Sequence, residues 1–287
     1  MTLREYLEEH YTPLTAESYH REILIFLSNY TAASMATYAE LIGYLVVLRE
    51  RYNNAATLNR ILCSIKVYYD YLCCTGIRGD HPARSILLRD QRSRDVQLQD
   101  LFTGEELEKL LERKERYQAL YYRNRVLMGL LVYQGLKPQE MAAVCVTDVN
   151  LEAGNIYIKS THTTNSRTLS LRSGQILLLY TWLEQVRPKL LKDATSDVLL
   201  IGHRGGPMSA DDIVKHVIRS YKNVYPERAV TAQAIRCSVI ANLLAQGHDI
   251  SVVQQFAGHK DPSSTERYKQ SQVEALKSAI EQYHPMK

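Results

Sequence analysis

No apolar run in these 287 residues approaches the roughly 20 that a helix needs to cross a bilayer, which argues against a membrane-spanning segment. The opening stretch MTLREYLEEHY lacks the basic-then-apolar order of a secretory signal and carries three glutamates instead. Cysteine is sparse and odd in number. Cys63, Cys73, Cys74, Cys145 and Cys237 show no metal-ligand spacing and cannot all pair, so they suit a reducing compartment better than a disulfide framework. Repeats and low-complexity tracts are missing too. These absences lead to the expectation of a cytoplasmic globular protein. Its hydrophobic content of 45% and charged content of 23% are ordinary for that class, and its length suits two domains rather than one.

Charge is nearly balanced overall, at +4, but unevenly spread. Residues 1–100 carry 11 Lys and Arg against 12 Asp and Glu, a net −1; the remainder carries 24 against 19, a net +5. Alone this describes a mildly basic surface and does not demand a nucleic acid.

The first part of the chain reads as a compact helical bundle, residues 1–88. TAESYHREILIFLSNY has apolar residues at helical spacing, and TYAELIGYLVVLRERY opens with Thr37 and Glu40 as a capping box. TLNRILCSIKVYYDYLC puts Leu58, Leu62, Ile65, Tyr69 and Leu72 on one face, with Arg60, Cys63 and Val67 on the other and Lys66 at its edge. Residues 89–100, RDQRSRDVQLQD, are polar and aperiodic and read as a linker. A second capping box, Thr103 with Glu106, opens a helix over GEELEKLLERKERY, and a long apolar helix follows. NIYIK and RTLSL then bracket a polar turn, the pattern of a hairpin within a three-stranded sheet. The rest of 101–287 is helical, ending in a helix over 272–283 with an apolar stripe at Val273, Leu276 and Ile280. The expected fold is mainly α with a small antiparallel β-sheet, in two domains.

The chemistry concentrates in AIRCSVIANLLAQGHDISVVQQFAGHKDPSSTERY, where Arg236, His259 and Tyr268 occur in that order. Asp261 is a suitable helix N-cap and Pro262 a suitable first helical residue, which places Tyr268 about two turns in. The polar SSTER leading to it reads as an exposed segment. Singly, each residue has a plainer reading. Tyr268 is one tyrosine among 20, and His259 after a glycine suits a helix C-terminus. Arg236 is harder to set aside, because an arginine in an apolar stretch needs an anionic partner.

This arrangement closely resembles the catalytic domain of tyrosine recombinases, the phage-integrase superfamily. The family's His-x-x-Arg, Leu-Gly-His and Thr-x-x-Tyr stand here as QAIR, AGH and TERY. Its Gly-Leu-Arg-x-x-Glu stands as Gly135-Leu136-Lys137-Pro138-Gln139-Glu140, and its hairpin lysine matches Lys159. The resemblance implies a two-domain, C-shaped DNA clamp and a specific double-stranded DNA site. It also implies attack by Tyr268 on a phosphodiester, through a 3′-phosphotyrosyl intermediate, with neither metal nor cofactor. Arg236 would hold the phosphate oxygens of the phosphorane, His259 would donate to a non-bridging oxygen or help Tyr268 lose its proton, and Lys159 would protonate the leaving 5′ oxygen. Arg60 and Lys66 would touch phosphates, and the last helix would join protomers into a tetramer on DNA. The implied setting is the nucleoid.

Two positions depart from the family pattern. Lys137 replaces an arginine and so lacks the bidentate fork. Gln233 replaces a histidine and cannot shuttle a proton. Since loss of one transition-state donor commonly costs about a hundred- to a thousand-fold in rate, a binding-only relative is the alternative reading. A nicking enzyme with the same tyrosine chemistry is a further one. Glu140 and Asp148 read as structural partners of nearby donors.

Overall fold

The computed structural model describes residues 1–88, 101–115, 117–191 and 195–268. The expected linker 89–100 and final helix 272–283 lie outside the described residues. The chain divides into two compact units, Met1–Ser93 and Arg94–Lys287. Among the described residues no helix is long and apolar enough to cross a membrane.

The first unit is built from α1 (Leu3–His10), α2 (Pro13–Asn29), α3 (Tyr38–Arg51) and α4 (Ala55–Cys74). Thr37 and Glu40 form the expected reciprocal cap on α3, and Thr2 with Glu5 forms another on α1. Helix α4 is the centre of this unit and packs against the other three. It therefore buries more than one stripe. Val67, expected on the open face, is only 7% exposed, and Ile61, Ser64 and Tyr68 are buried beside it. The correction has a simple cause: three neighbours cover three sides, so helical periodicity on one face understates the contact. Tyr69 is fully buried and satisfies its phenol by donating to the Ala33 carbonyl at 2.6 Å.

The second unit begins with α5 (Gly104–Lys109), capped by Thr103 and Glu106 as expected. The helix is shorter than GEELEKLLERKERY suggests. After a 3-10 turn at Leu110–Glu112 the chain turns extended at Arg113, whose Nε donates to the Ser220 carbonyl and whose guanidinium lies over Tyr221. That tertiary anchor overrides local helix propensity. Next come α6 (Gln118–Gln134), α7 (Pro138–Ala143), β1 (Val149–Asn150), β2 (Asn155–Ile158) and β3 (Arg167–Ser170). The three strands form an antiparallel sheet in the order β1-β2-β3, with Ile156 opposite Leu169 and Ile158 opposite Arg167.

The described part of the unit continues with α8 (Ser173–Thr181), α9 (Arg187–Leu191), α10 (Ala210–Tyr221), α11 (Ala232–Ala245) and α12 (Ile250–Ala257), followed by helical residues 263–268. A π-helical turn at Trp182–Val186 joins α8 to α9 and buries Trp182 completely, its indole N–H donating to the Leu199 carbonyl. Helices α6 and α11 run through the core, which includes Leu127, Leu131, Ile235 and Val239. The chain enters this unit against α11. The Phe102 N–H donates to Ser238 Oγ at 2.8 Å, and Asn242 donates to the Phe102 carbonyl at 3.1 Å.

Candidate active site

Helix α11 starts at Thr231, whose hydroxyl accepts from the Ala234 N–H. Every residue from Ile235 to Ile240 is buried, so the helix carries Arg236 into the interior, where it is 3% exposed. Its guanidinium donates through Nη1 to the Gly135 carbonyl and through Nη2 to the Ala257 carbonyl, both at 2.6 Å, and lies 3.8 Å from Glu140. Gly135 closes α6 and Ala257 ends α12, so both acceptors sit at the negative ends of helix dipoles. Two of five N–H donors are used in these bonds, and the plane of the fork is thereby set. Burial pulls the Arg236 pKa down, opposed by Glu140.

Gly258 closes α12 in a left-handed conformation, φ +67°, and the His259 N–H returns to the Gln254 carbonyl at 3.1 Å. A Cβ at Gly258 would stand 2.5 Å from Arg167 Nη1, so backbone angle and crowding both require glycine there. The helix cap thus aims His259 at the site rather than competing with it. The imidazole is buried and its Nδ1 lies 2.8 Å from the Thr265 hydroxyl. Burial, then Arg236, Lys137 and Arg167, pull its pKa down to about 4, so the ring is neutral at pH 7.

Tyr268 arrives on helical residues 263–268. The Asp261 carboxylate accepts from the Ser263 N–H at 3.0 Å, while the first full helical bond runs from the Glu266 N–H to the Pro262 carbonyl. The helix therefore starts one residue later than the sequence suggests. SSTER is also less exposed than expected: Thr265 is fully buried and Tyr268 is 6% exposed, with Glu266 and Arg267 outward. The i, i+3 spacing puts one face of a polar segment inward. Tyr268 packs against Ile240, Val253 and Ala257, and its phenol donates to Cys237 Sγ at 3.2 Å. Burial, with Cys237 next, pushes the phenol pKa up.

Lys137 is half-buried and donates from Nζ to the Thr163 hydroxyl at 3.0 Å. Burial and then Arg236 lower its pKa. Gln233 is exposed and donates from Nε2 to Cys237 Sγ at 3.2 Å. Lys159 is exposed and belongs to a different network, 3.3 Å from Asp148 and 3.5 Å from Cys145 Sγ; the hydrogen bond to Asp148 raises its pKa. In the first unit, Arg60 is paired with Glu22 at 2.9 Å and Lys66 donates to the Arg84 carbonyl at 3.2 Å.

Four further residues complete the arrangement: Glu140, Arg167, Thr265 and Cys237. Arg167 holds both oxygens of Glu140, at 2.7 and 3.0 Å, with 3% and 0% side-chain exposure respectively. Glu140 also accepts from the Lys137 N–H at 2.8 Å. Burial pushes its carboxyl up, but Arg167 outweighs that and holds it below the usual value. The signal for Arg167 was present in the strand: alternation in RTLSL puts it on the same buried face as Leu169, where a charge needs a partner. Cys237 follows Arg236 and lies one turn after Gln233, a spacing that brings side chains together. The hairpin loop joins the site through the Asn165 N–H, which donates to the Gly258 carbonyl at 2.8 Å. Among the described residues no group of three or more His, Cys, Asp or Glu could hold a metal ion.

Residues 100–275 match the phage integrase family. The tyrosine recombinase XerD of Staphylococcus aureus is 26% identical over 247 residues, covering 86% of this chain and 81% of the relative. That of Listeria monocytogenes serotype 4b is 24% identical over 279 residues, covering 94% and 92%. Among solved structures, XerH site-specific recombinase bound to a palindromic difH substrate has a TM-score of 0.75 at 22% identity, covering 93% of this chain and 79% of that one. A lambda integrase dimer bound to a COC′ core site has a TM-score of 0.71 at 15% identity, covering 94% and 96%. With the family match spanning more than half its length and the ordered Arg236, His259 and Tyr268 gathered around the ends of α6 and α12, this chain belongs to the phage integrase family, the tyrosine recombinases.

Proposed function

We propose that this chain is a site-specific DNA recombinase that cleaves and rejoins DNA through a 3′-phosphotyrosyl bond at Tyr268. The observation that carries the reading is the convergence of Arg236, His259 and Tyr268 through Ala257, Thr265 and Cys237. Arg236 is oriented before any phosphate arrives and offers its remaining N–H donors to the non-bridging oxygens. His259, neutral at pH 7, donates one hydrogen bond to the same phosphate. Lys137 adds positive charge beside Arg236, without a fork. Lys159 protonates the leaving 5′ oxygen once DNA draws it from Asp148. Energy is conserved in the phosphotyrosyl bond, so rejoining needs no nucleotide, and the reaction is proposed to need no metal.

Each unit is proposed to contact duplex DNA, with Arg60 and Lys66 supplying phosphate contacts from the first. DNA bound to XerH, to lambda integrase and to the Tn1549 transposon integrase supports the choice of ligand. Assembly into a tetramer on DNA through residues 272–283, and a cytoplasmic, nucleoid-associated location, belong to the same proposal.

The test is covalent capture. Wild type and Tyr268→Phe are incubated with fragmented host and mobile-element DNA, denatured in SDS, and any retained DNA is sequenced. A Tyr268-dependent adduct is expected and would reveal the cleavage site. Bound DNA without an adduct would overturn the reading and leave a DNA-binding relative.

A further inference from the structure

The phenol of Tyr268 must lose a proton as its oxygen attacks phosphorus. The groups that would conventionally take it are poorly placed here. Gln233 has no basic atom, and a neutral His259 that donates from Nε2 to the phosphate has its other nitrogen, Nδ1, occupied by the Thr265 hydroxyl. The phenol O–H is instead directed at a sulfur, Cys237 Sγ, 3.2 Å away. Gln233 Nε2, one turn earlier on α11, donates to the same sulfur, also at 3.2 Å. Two donors converging on one atom mark it as an acceptor. Cys237 is 8% exposed and lies beside the Arg236 cation; α12 presents the uncharged Val253 and Ala257, and Arg267 flanks the phenol on its own helix.

We propose that Cys237 is the proton acceptor of Tyr268 in strand cleavage, an inference that rests on the recombinase reading above. The thiolate form of Cys237 takes the phenol proton as the bond from Tyr268 Oη to phosphorus forms. The bond from phosphorus to the 5′ oxygen breaks, and that oxygen leaves with a proton from Lys159 or solvent. In rejoining, the 5′ hydroxyl attacks phosphorus and returns its proton to the lysine or solvent. The departing phenolate recovers its proton from the Cys237 thiol. No electrons are exchanged, and one cycle restores every group. Gln233 serves by holding the sulfur toward the phenol, which gives the glutamine a use despite its lack of a basic atom.

The test uses the full chain and a duplex carrying the site recovered by covalent capture. The duplex is made in two versions, one ordinary and one with sulfur replacing the bridging 5′ oxygen at the scissile phosphate. A sulfur leaving group needs no proton, so the second version erases defects in leaving-group protonation but not in phenol activation. Cys237→Ala and Cys237→Ser are both expected to cleave about a hundred-fold more slowly at pH 7.5 on both duplexes. Footprints should show the site still bound. Wild-type rate in Cys237→Ser would overturn the proposal in favour of a sulfur that only holds the phenol. Faster cleavage by Cys237→Ala would overturn it in favour of a resting latch. Should Cys237→Ala fail to bind DNA, Cys237→Ser, a one-atom change, carries the comparison. An adduct from wild type with undiminished variants sinks this inference alone, whereas no adduct from bound wild type sinks the recombinase reading with it.

Discussion

At the scale of single residues, the site depends on charges that are buried and paired. Glu140 accepts from Arg167 twice and from the Lys137 N–H, and faces Arg236 at 3.8 Å. Its removal strands a guanidinium with 3% side-chain exposure. Glu140→Ala should therefore destabilise the chain by about 3–5 kcal/mol, read by denaturant unfolding, and by clearly less in Glu140→Gln, which keeps two acceptor lone pairs. Lys137 is the cation whose chemistry departs from the family pattern, and Lys137→Ala should slow adduct formation by about a hundred- to a thousand-fold with little change in the footprint. An equal rate in Lys137→Ala would show that Arg236 carries the phosphate charge alone. Two histidines set a pH limit, His259, which is buried, and His216 on α10, which is half-buried with its Nε2 enclosed. His259 and His216 both have pKa values lowered to about 4, chiefly by burial. Between 6.5 and 4 the unfolded chain binds protons that the folded chain refuses, so their stabilising effect is present above pH 6.5 and is lost as pH falls toward 4. Unfolding midpoints measured from pH 7.5 to 4 should fall most steeply inside that window. A flat profile there would contradict the burial of these rings.

At the scale of elements, the decisive feature is the end of α12. The left-handed Gly258, the return of the His259 N–H to Gln254 and the Asn165 bond together make one joint between helix, histidine and hairpin. Gly258→Ala adds both a strained backbone and a Cβ 2.5 Å from Arg167 Nη1, and should cost about 1–3 kcal/mol in stability. Its effect on cleavage should exceed its effect on binding, since it displaces His259 and Arg167 before any phosphate contact; equal losses in both would place the joint outside the chemistry. Much of this layer was legible in the sequence. Thr37 with Glu40 and Thr103 with Glu106 announce helix starts because capping is local chemistry. The hairpin showed in alternation, and Arg236, His259 and Tyr268 showed in their order. What stayed hidden depends on neighbours distant in the chain. Val67 is covered by helices that pack on α4 from several sides, and Arg113 ends its helix for the sake of Ser220, 107 residues away. Cys237 meets Tyr268 across 31 residues, and only the seating of 263–268 against α11 makes that thiol a neighbour of the phenol.

At the scale of the whole molecule, binding should be governed by phosphate neutralisation, helped by the net +5 of residues 101–287. DNA affinity should fall linearly on a log–log plot against salt, with a slope of about −0.9 for each phosphate contacted on duplex DNA. Replacing Arg60 and Lys66 with Ala together should flatten that slope, by up to about two units if both side chains reach phosphates. An unchanged slope would assign Arg60 to its ion pair with Glu22 alone. One connection within the second unit bears on how the protein carries load. The backbone of Phe102 is fastened on both its N–H and its carbonyl to α11, by Ser238 and Asn242, and the Leu101 carbonyl is held by Arg228. Tension pulling on the chain at residue 101 thus enters the fold at the helix that bears Arg236 and Cys237. Strain there would reach Arg236 and Cys237 through the two hydrogen bonds to Ser238 and Asn242, on their own helix.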